Sequence, residues 1–513
     1  MNIPTFALGD DLVSGEIGVE LTAESLAESL LRQNFLPRQA PRGSEMPPSI
    51  ISTSFTLDVA RAIFAQGRGR EHDAMPYRLT RFDLTLRHAL VPHPAPYARL
   101  VCGIADHWEK FSEIADNPSS VLRPMLHPDG RVFVMSGYGE VLTDAKRREG
   151  TESFGSQFVV HTDIKNFYPS IYSHAIAWAL APNKIEAKQN RAGQVWFNQI
   201  DALFRRCRRN ETNGVPIGPG TSNIASEIIL GRVDQGMRDN GYTGFVRYID
   251  DYTFYAKSQE EARAFIRDLQ NELLRFELHL NGTKTKITPL PVTTRLEWIS
   301  QLVLNRPGPS DTIDGVRAYL DLALELATKH PSGSVLRYAF HVIAGSDLPE
   351  GCLEQLAQQI LNLCFHWPVL VPTVAEMFER DDFDGSPFAQ DLNSLACEFV
   401  RNRQTDATCW VLDVLLSNGL KVADPTIDAM MAAEDCVPLT LLYAADCLTA
   451  ETVQELVSKI FETGEDYEQD RWWMLLFEIF LDSPDMIPQH DSSFEVLRHH
   501  RVHFVDRIRL GIR

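Results

Sequence analysis

Tyr248-Ile249-Asp250-Asp251 sits inside an apolar run, Gly244-Phe-Val-Arg-Tyr-Ile followed by Tyr-Thr-Phe-Tyr-Ala256. Runs of this kind read as two short strands joined by a tight turn, and this turn carries two adjacent aspartates. Carboxylates so placed suit a pair of divalent ions roughly 3.5–4 Å apart, the separation that holds both the attacking and the leaving oxygen of a displacement. Aspartate is also an ordinary turn residue, so the tetrapeptide by itself decides little. Two upstream segments decide more.

The first runs from Ser156 to Tyr172, Ser-Gln-Phe-Val-Val-His-Thr-Asp163-Ile-Lys-Asn-Phe-Tyr168-Pro-Ser-Ile-Tyr. A β-rich stretch ends on Asp163, an aromatic-rich turn follows, and a helix-like stretch begins at Ser173. If the strand ending on Asp163 neighbours the Asp250-Asp251 hairpin, three carboxylates and the backbone carbonyl of Ile164 form an oxygen-rich site. Such a site suits Mg²⁺, which keeps several waters and binds through substrate phosphates as well as protein. The plainer alternative is that Asp163 caps the next turn. The second segment is Gly214-Val-Pro-Ile-Gly218-Pro-Gly-Thr-Ser222-Asn-Ile-Ala-Ser-Glu-Ile-Ile-Leu230. Thr221 or Ser222 is expected to cap a helix whose Ile224, Ile228 and Ile229 recur at helical spacing. The glycines would let backbone approach a nucleotide or template base, unless they form a plain Gly/Pro loop.

In order and spacing these segments resemble motifs A, B and C of reverse transcriptases: Asp163-Ile-Lys-Asn-Phe-Tyr-Pro-Ser-Ile, Gly214-Val-Pro-Ile-Gly-Pro-Gly-Thr-Ser, and Tyr-Ile-Asp-Asp. The charged amphipathic stretch Ser258 to Glu277, followed by Leu278-His-Leu-Asn281-Gly-Thr-Lys284-Thr-Lys-Ile287, is similar to motif D, with Lys284 ahead of Lys286 as the lysine near a triphosphate. Leu296 to Leu304 is expected to be a hairpin supporting the primer end. The resemblance implies an α+β fold of right-hand type, with fingers and palm, and a catalytic set of Asp163, Asp250 and Asp251. It also places Tyr168 at the gate that excludes a ribose 2′-hydroxyl, which implies deoxynucleotide substrates. Gly218, Ser222 and Lys284 would line the substrate site, and Mg²⁺, with Mn²⁺ as a substitute, would be the cofactor.

The charge is uneven along the 513 residues, with a formal net of −20. Residues 1–300 carry 34 Lys and Arg against 35 Asp and Glu, whereas residues 301–513 carry 15 against 34. The polymerase-like part is balanced and can hold local basic surfaces, such as Arg205-Arg206-Cys-Arg208-Arg209 or Lys146-Arg147-Arg148, to grip phosphates. No apolar run approaches the ~20 residues needed to cross a bilayer, and no signal-peptide pattern opens the chain. Eight scattered cysteines with no Cys-x-x-Cys read as reduced thiols, which points to the cytoplasm.

The expected division is 1–150 for an N-terminal segment and fingers, 151–305 for the palm, and 311–513 for an all-α array of HEAT-like repeats in place of a thumb. Arg131, in a Gly-turned hairpin pattern from Leu122 to Phe133, is the first choice for an arginine that meets the incoming triphosphate. From Asp311 onward, Val316–Thr328, Leu353–Cys364, Phe388–Phe399, Thr408–Leu416 and Glu451–Phe461 have helical apolar spacing. The layout resembles the abortive-infection group of bacterial defence-associated reverse transcriptases, nearest to the type carried by P2-like prophages. That resemblance implies a role in anti-phage defence, homo-oligomers, dNTPs as substrates, and a single-stranded DNA product made without a template and attached to a priming side chain. No tyrosine precedes Tyr77, so a primer nearer the N-terminus would be serine or threonine. Two other readings stand beside this one: copying of a partner RNA, and an inactive polymerase-like binding module.

Overall fold

The computed structural model describes residues 21–37, 45–133, 150–292 and 296–512, apart from 152, 190–194, 309, 332–333, 347, 349–350, 463 and 465. Lys146-Arg147-Arg148 lies outside the described residues.

Strands β1 (Met75–Thr80) and β2 (Leu86–Val91) pair antiparallel, from Met75 opposite Val91 to Thr80 opposite Leu86. The second sheet contains β3 (Phe158–Asp163), β4 (Phe245–Tyr248), β5 (Asp251–Ala256) and β6 (Lys286–Pro289), in the spatial order β4-β5-β3-β6 and antiparallel throughout. Alternation along β5 explains its seat: Tyr252, Phe254 and Ala256 point into the core while Asp251 is exposed.

Near the N-terminus, α1 (Ala23–Arg32), α2 (Leu57–Ala65) and α3 (Pro94–His107) pack on one another. Next come α4 (His174–Leu180), α5 (Trp196–Arg206), α6 (Gly220–Asp239) and α7 (Gln259–Leu274). On the second sheet packs α7, beside α6, which reaches the sheet through Glu227 and Asp234; α4 packs on α6, and α5 on α4 and α3. Helix α7 turns Ala262, Phe265, Leu269 and Leu273 inward, and Phe265 stacks on Phe254 with centroids 4.3 Å apart.

The segment expected as a primer-end hairpin is instead a helix, α8 (Glu297–Leu304). Trp298, Ile299 and Leu302 fall on one helical face and are buried, with Trp298 against Tyr338. This face docks α8 on the array that follows: α9 (Ile313–Lys329), α10 (Ser334–Ala344), α11 (Cys352–His366), α12 (Val371–Phe378), α13 (Ala389–Arg401), α14 (Thr405–Ser417), α15 (Asp424–Ala433), α16 (Cys436–Ala444), α17 (Ala450–Glu462) and α18 (Trp473–Asp482). Helices α10, α12, α14, α16 and α18 stack in one layer, and α11, α13 and α15 in another. Helix α14 is buried from Thr405 to Leu416 because β1 covers the side that its neighbours leave open.

The end of the chain returns to the beginning. Ile51 donates to the Phe504 carbonyl at 2.9 Å, Asp506 donates to Ser49 at 2.8 Å, and Phe504 packs among Phe35, Phe55 and Trp473. Thr80 gives both its amide and its hydroxyl to Asp406 of α14, at 2.7 and 2.6 Å. The helical array is therefore fastened to the β1–β2 hairpin as well as joined in sequence to the sheet. All eight cysteines are free thiols. Among the described residues no helix is long and apolar enough to cross a membrane.

Candidate active site

The register of the second sheet sets Asp163 directly opposite Asp251, and Tyr248 opposite Asp251 on the other side. Ile249 and Asp250 form the turn. A two-residue hairpin connection needs left-handed backbone, which glycine or asparagine usually supplies. Here Ile249 takes it, with φ 56°, at a cost of roughly 1–3 kcal/mol that the surroundings must offset. Backbone bonds bind the pieces together. Ile164 donates to the Asp250 carbonyl at 3.2 Å, and Asn281 donates to the Asp163 carbonyl at 2.7 Å.

Beneath the turn lies a buried charge network. Arg247 is wholly buried, pairs with both oxygens of Glu227 at 2.8 and 2.9 Å, and meets Asp234 at 2.9 Å. Asp234 also accepts from Tyr252 and Asn117, at 2.8 and 2.7 Å. Burial works against the Arg247 charge, but Asp234 and Glu227 hold its pKa well above the usual value. Sequence reasoning missed these residues. The signal was two acids, Glu227 and Asp234, two turns apart on one face of a helix otherwise packed with isoleucine, and an arginine in phase with the inward Phe245.

Above the network the carboxylates are crowded. Burial, then the charges of Asp251 and Asp163, push the Asp250 carboxyl up to about 7. Asp251 reaches solvent, yet partial desolvation in the crowded site and then Asp163 also raise it. Lys284 Nζ sits on Asp163 Oδ2, and that carboxylate raises the lysine in turn. Among the described residues no three His, Cys, Asp or Glu side chains form a ready-made cage for one ion. A crowded, under-compensated pair of acids with a third opposite suits Mg²⁺ nonetheless, since that ion takes one or two carboxylates and completes its shell with water and phosphate.

Tyr168 is buried in a short helical turn, Phe167–Ser170, and its hydroxyl donates to Asn223 Oδ1 at 2.5 Å. Burial raises the phenol far above its ordinary pKa, and the charges of Asp250 and Arg87 are both felt there. Arg131 is buried beside Asp129, its Nε 3.4 Å from Oδ2, within a turn closed by His127 donating to the Arg131 carbonyl at 2.8 Å. The structure records no contact between Arg131 and the three carboxylates among the described residues. The Arg205–Arg209 cluster is engaged within the protein, with Arg205 on Asp201, Arg206 on Glu71, Arg208 on Asp73 and Arg209 on Asp470.

The Gly214–Ser222 loop differs from expectation in two ways. Pro219 is the N-cap of α6 and makes no side-chain cap, so Thr221 and Ser222 lie buried inside the first turn. Ser222 Oγ has no hydrogen-bond partner there. The glycines make room for protein. A Cβ on Gly218, φ 132°, would stand 2.5 Å from Pro37 Cβ, and one on Gly220 would stand 2.7 Å from Asn34 Cβ. Gly220 also donates to the Asn34 carbonyl at 2.7 Å. The segment after α1 therefore lies against the Cβ side of both glycines.

No curated protein matches the chain. Among solved structures, a telomerase from Candida tropicalis in complex with a TWJ fragment of telomeric RNA is similar at 10% identity, with a TM-score of 0.32 over 77% of this chain and 68% of that one. Residues 113–299 match the family described as reverse transcriptase (RNA-dependent DNA polymerase), a span that takes in Asp163, Tyr168, Gly218, Asp250, Asp251 and Lys284. The chain contains a reverse transcriptase domain.

Proposed function

We propose that the protein is a DNA polymerase that adds dNTPs by nucleotidyl transfer. The observation that carries this reading is the pairing of Asp163 with Asp251, one residue from a turn aspartate, inside the matched reverse transcriptase span. Asp163, Asp250, Asp251 and the Ile164 carbonyl would hold Mg²⁺, or Mn²⁺ in its place. Two such ions, when bound, supply charge stabilisation at the attacking and leaving oxygens. The side chains do the rest: the Tyr168 ring, held by Asn223, blocks a 2′-hydroxyl. Lys284, an exposed ammonium on a flexible stem, neutralises the triphosphate. By the same resemblance to reverse transcriptases, Arg131 would assist it.

The resemblance to abortive-infection enzymes extends the proposal. The chain would act in anti-phage defence as a cytoplasmic homo-oligomer, with fingers to about residue 150, a palm to 305 and a HEAT-like array from 311. Its single-stranded DNA would be primed on a side-chain hydroxyl, either without a template or by copying RNA. The test is incorporation of dNTPs with Mg²⁺, with the protein from cells run on denaturing gels before and after nuclease. Asp163→Asn, Asp250→Asn and Asp251→Asn should each lower incorporation at least about a hundredfold, since a charge that stabilises the transition state is lost. Extension by Asp250→Asn at the wild-type rate would remove the catalytic reading.

A further inference from the structure

A cavity of about 300 Å³ lies between the β1–β2 hairpin and the helical array, and three arginines from distant parts of the chain line it: Arg78, Arg403 and Arg471. Cations are scarce in this half of the protein, where residues 301–513 hold only 15 Lys and Arg against 34 Asp and Glu. Two of those 15 nevertheless converge here and meet a third from β1.

The surrounding acids offset part of this charge, since Asp435 on the wall feels all three arginines, but they do not occupy every guanidinium donor. Arg78 Nη1 pairs with Asp435 at 3.2 Å, and Arg471 Nη1 pairs with Glu468 at 3.0 Å. Glu434, also on the wall, pairs with Lys459. Arg403 donates to a backbone carbonyl, that of Ala433, and shares the field of Asp435 with the other two arginines. Each guanidinium carries five N–H donors and these contacts use one nitrogen apiece, which leaves donors for a guest. Helix α16 adds its positive end: its N-cap, Asp435, lines the cavity and makes no side-chain capping bond. Trp472 supplies a flat apolar wall, with the Arg471 guanidinium 5.6 Å from its ring centroid.

We propose that this cavity binds a small phosphate-bearing anion of the diphosphate class, bridging the β1–β2 hairpin to the helical array. Arginine forks match phosphate oxygens in pairs, and three of them around one concavity form the arrangement that selects a multiply charged anion over a single carboxylate. The volume is at the low end for small-molecule sites and accommodates a diphosphate, bare or carried on a nucleoside. This site is separate from the three aspartates and stands whether or not the polymerase reading holds.

The test is titration calorimetry on the full chain in EDTA, using pyrophosphate and ADP as probes. One saturable site is expected. Arg403→Gln combined with Arg471→Gln should weaken binding roughly tenfold or more through the loss of charge-assisted hydrogen bonds. Glu434→Gln should tighten it, and Arg403→Lys, which keeps the charge but not the fork, should weaken it less than Arg403→Gln does. Tighter binding of ADP than of pyrophosphate assigns a nucleotide, and equal binding assigns the diphosphate alone. If the double variant does not fold, Arg471→Gln, at a partly exposed position, carries the same comparison. Absence of saturable binding overturns the proposal, as does unchanged affinity in the arginine variants.

Discussion

Arg247 reaches two residues along its own chain and donates at 2.9 Å to the carbonyl of Ile249, the left-handed residue of the turn that carries Asp250. The same guanidinium is clamped by Glu227 and Asp234. The position of Asp250 thus depends on a side chain that touches no substrate. Arg247→Met should destabilise the fold by about 3–5 kcal/mol, because it strands two buried carboxylates. Arg247→Lys keeps the charge but lacks the fork needed to serve Glu227, Asp234 and Ile249 together. It should therefore lose activity out of proportion to stability. Denaturant midpoints measured beside dNTP incorporation separate the two, and equal losses in both variants would make Arg247 purely structural.

The Gly218 Cβ direction is blocked by Pro37 rather than left open to ligand. Gly218→Ala should cost at least about 1–3 kcal/mol of stability through overpacking, with the left-handed backbone adding strain. Urea denaturation checks this. A variant of wild-type stability with only a raised KM for dNTP would return Gly218 to the substrate site.

Much of the palm was legible because its signals are local. Asp163 ends one strand and Asp251 begins another, with Asp250 in the turn just before it, and the antiparallel register sets Asp163 opposite Asp251. Helices α9, α11, α13, α14 and α17 were likewise legible from apolar spacing, whereas α10, α12, α15 and α16 were not. What could not be read is long-range: Asp406 binding Thr80, Phe504 packing on Phe35, and Arg209 reaching Asp470 across 261 residues of sequence. Arg205–Arg209 looked like a phosphate grip because sequence shows charges and not their partners. Leu296–Leu304 looked like a hairpin only by position in the family pattern, while its own Trp298, Ile299 and Leu302 spacing already favoured a helix.

Tyr168 and Asn223 form one unit, joined at 2.5 Å. Tyr168→Ala should raise the ratio of ATP to dATP incorporation by opening space beside the sugar, whereas Tyr168→Phe keeps the ring while losing the bond to Asn223 and should change it far less. Asn223→Ala leaves a buried hydroxyl without its acceptor, at a cost of about 1–3 kcal/mol, and should shift the ratio part of the way. An unchanged ratio in an active Tyr168→Ala protein would take Tyr168 out of the gate.

The last prediction concerns the join between the two ends of the chain. His72 lies buried with Nδ1 2.9 Å from Asp470 and Nε2 3.0 Å from Asp491, so both nitrogens face acceptors and the ring is an imidazolium. Arg70 and Arg209 share Asp470. Burial alone would lower the His72 pKa, but the two aspartates outweigh it and raise it. His93 stacks on His72 at 3.7 Å and accepts from the Ala95 amide, and burial together with the His72 charge keeps it neutral, far below its usual pKa. The signs are therefore opposite. The His72 contribution is complete below pH 6.5 and is lost as pH rises through its raised folded value. The His93 contribution is complete above 6.5 and is lost as pH falls, joined below 3.8 by Asp470 and Asp491, whose pKa values are lowered. Thermal melts from pH 5 to 9 should show greatest stability near neutrality. His72→Gln should lower stability most at pH 6 and flatten the alkaline side, and His93→Gln should flatten the acid side. Curves displaced by the same amount at every pH would mean that neither ring titrates with folding.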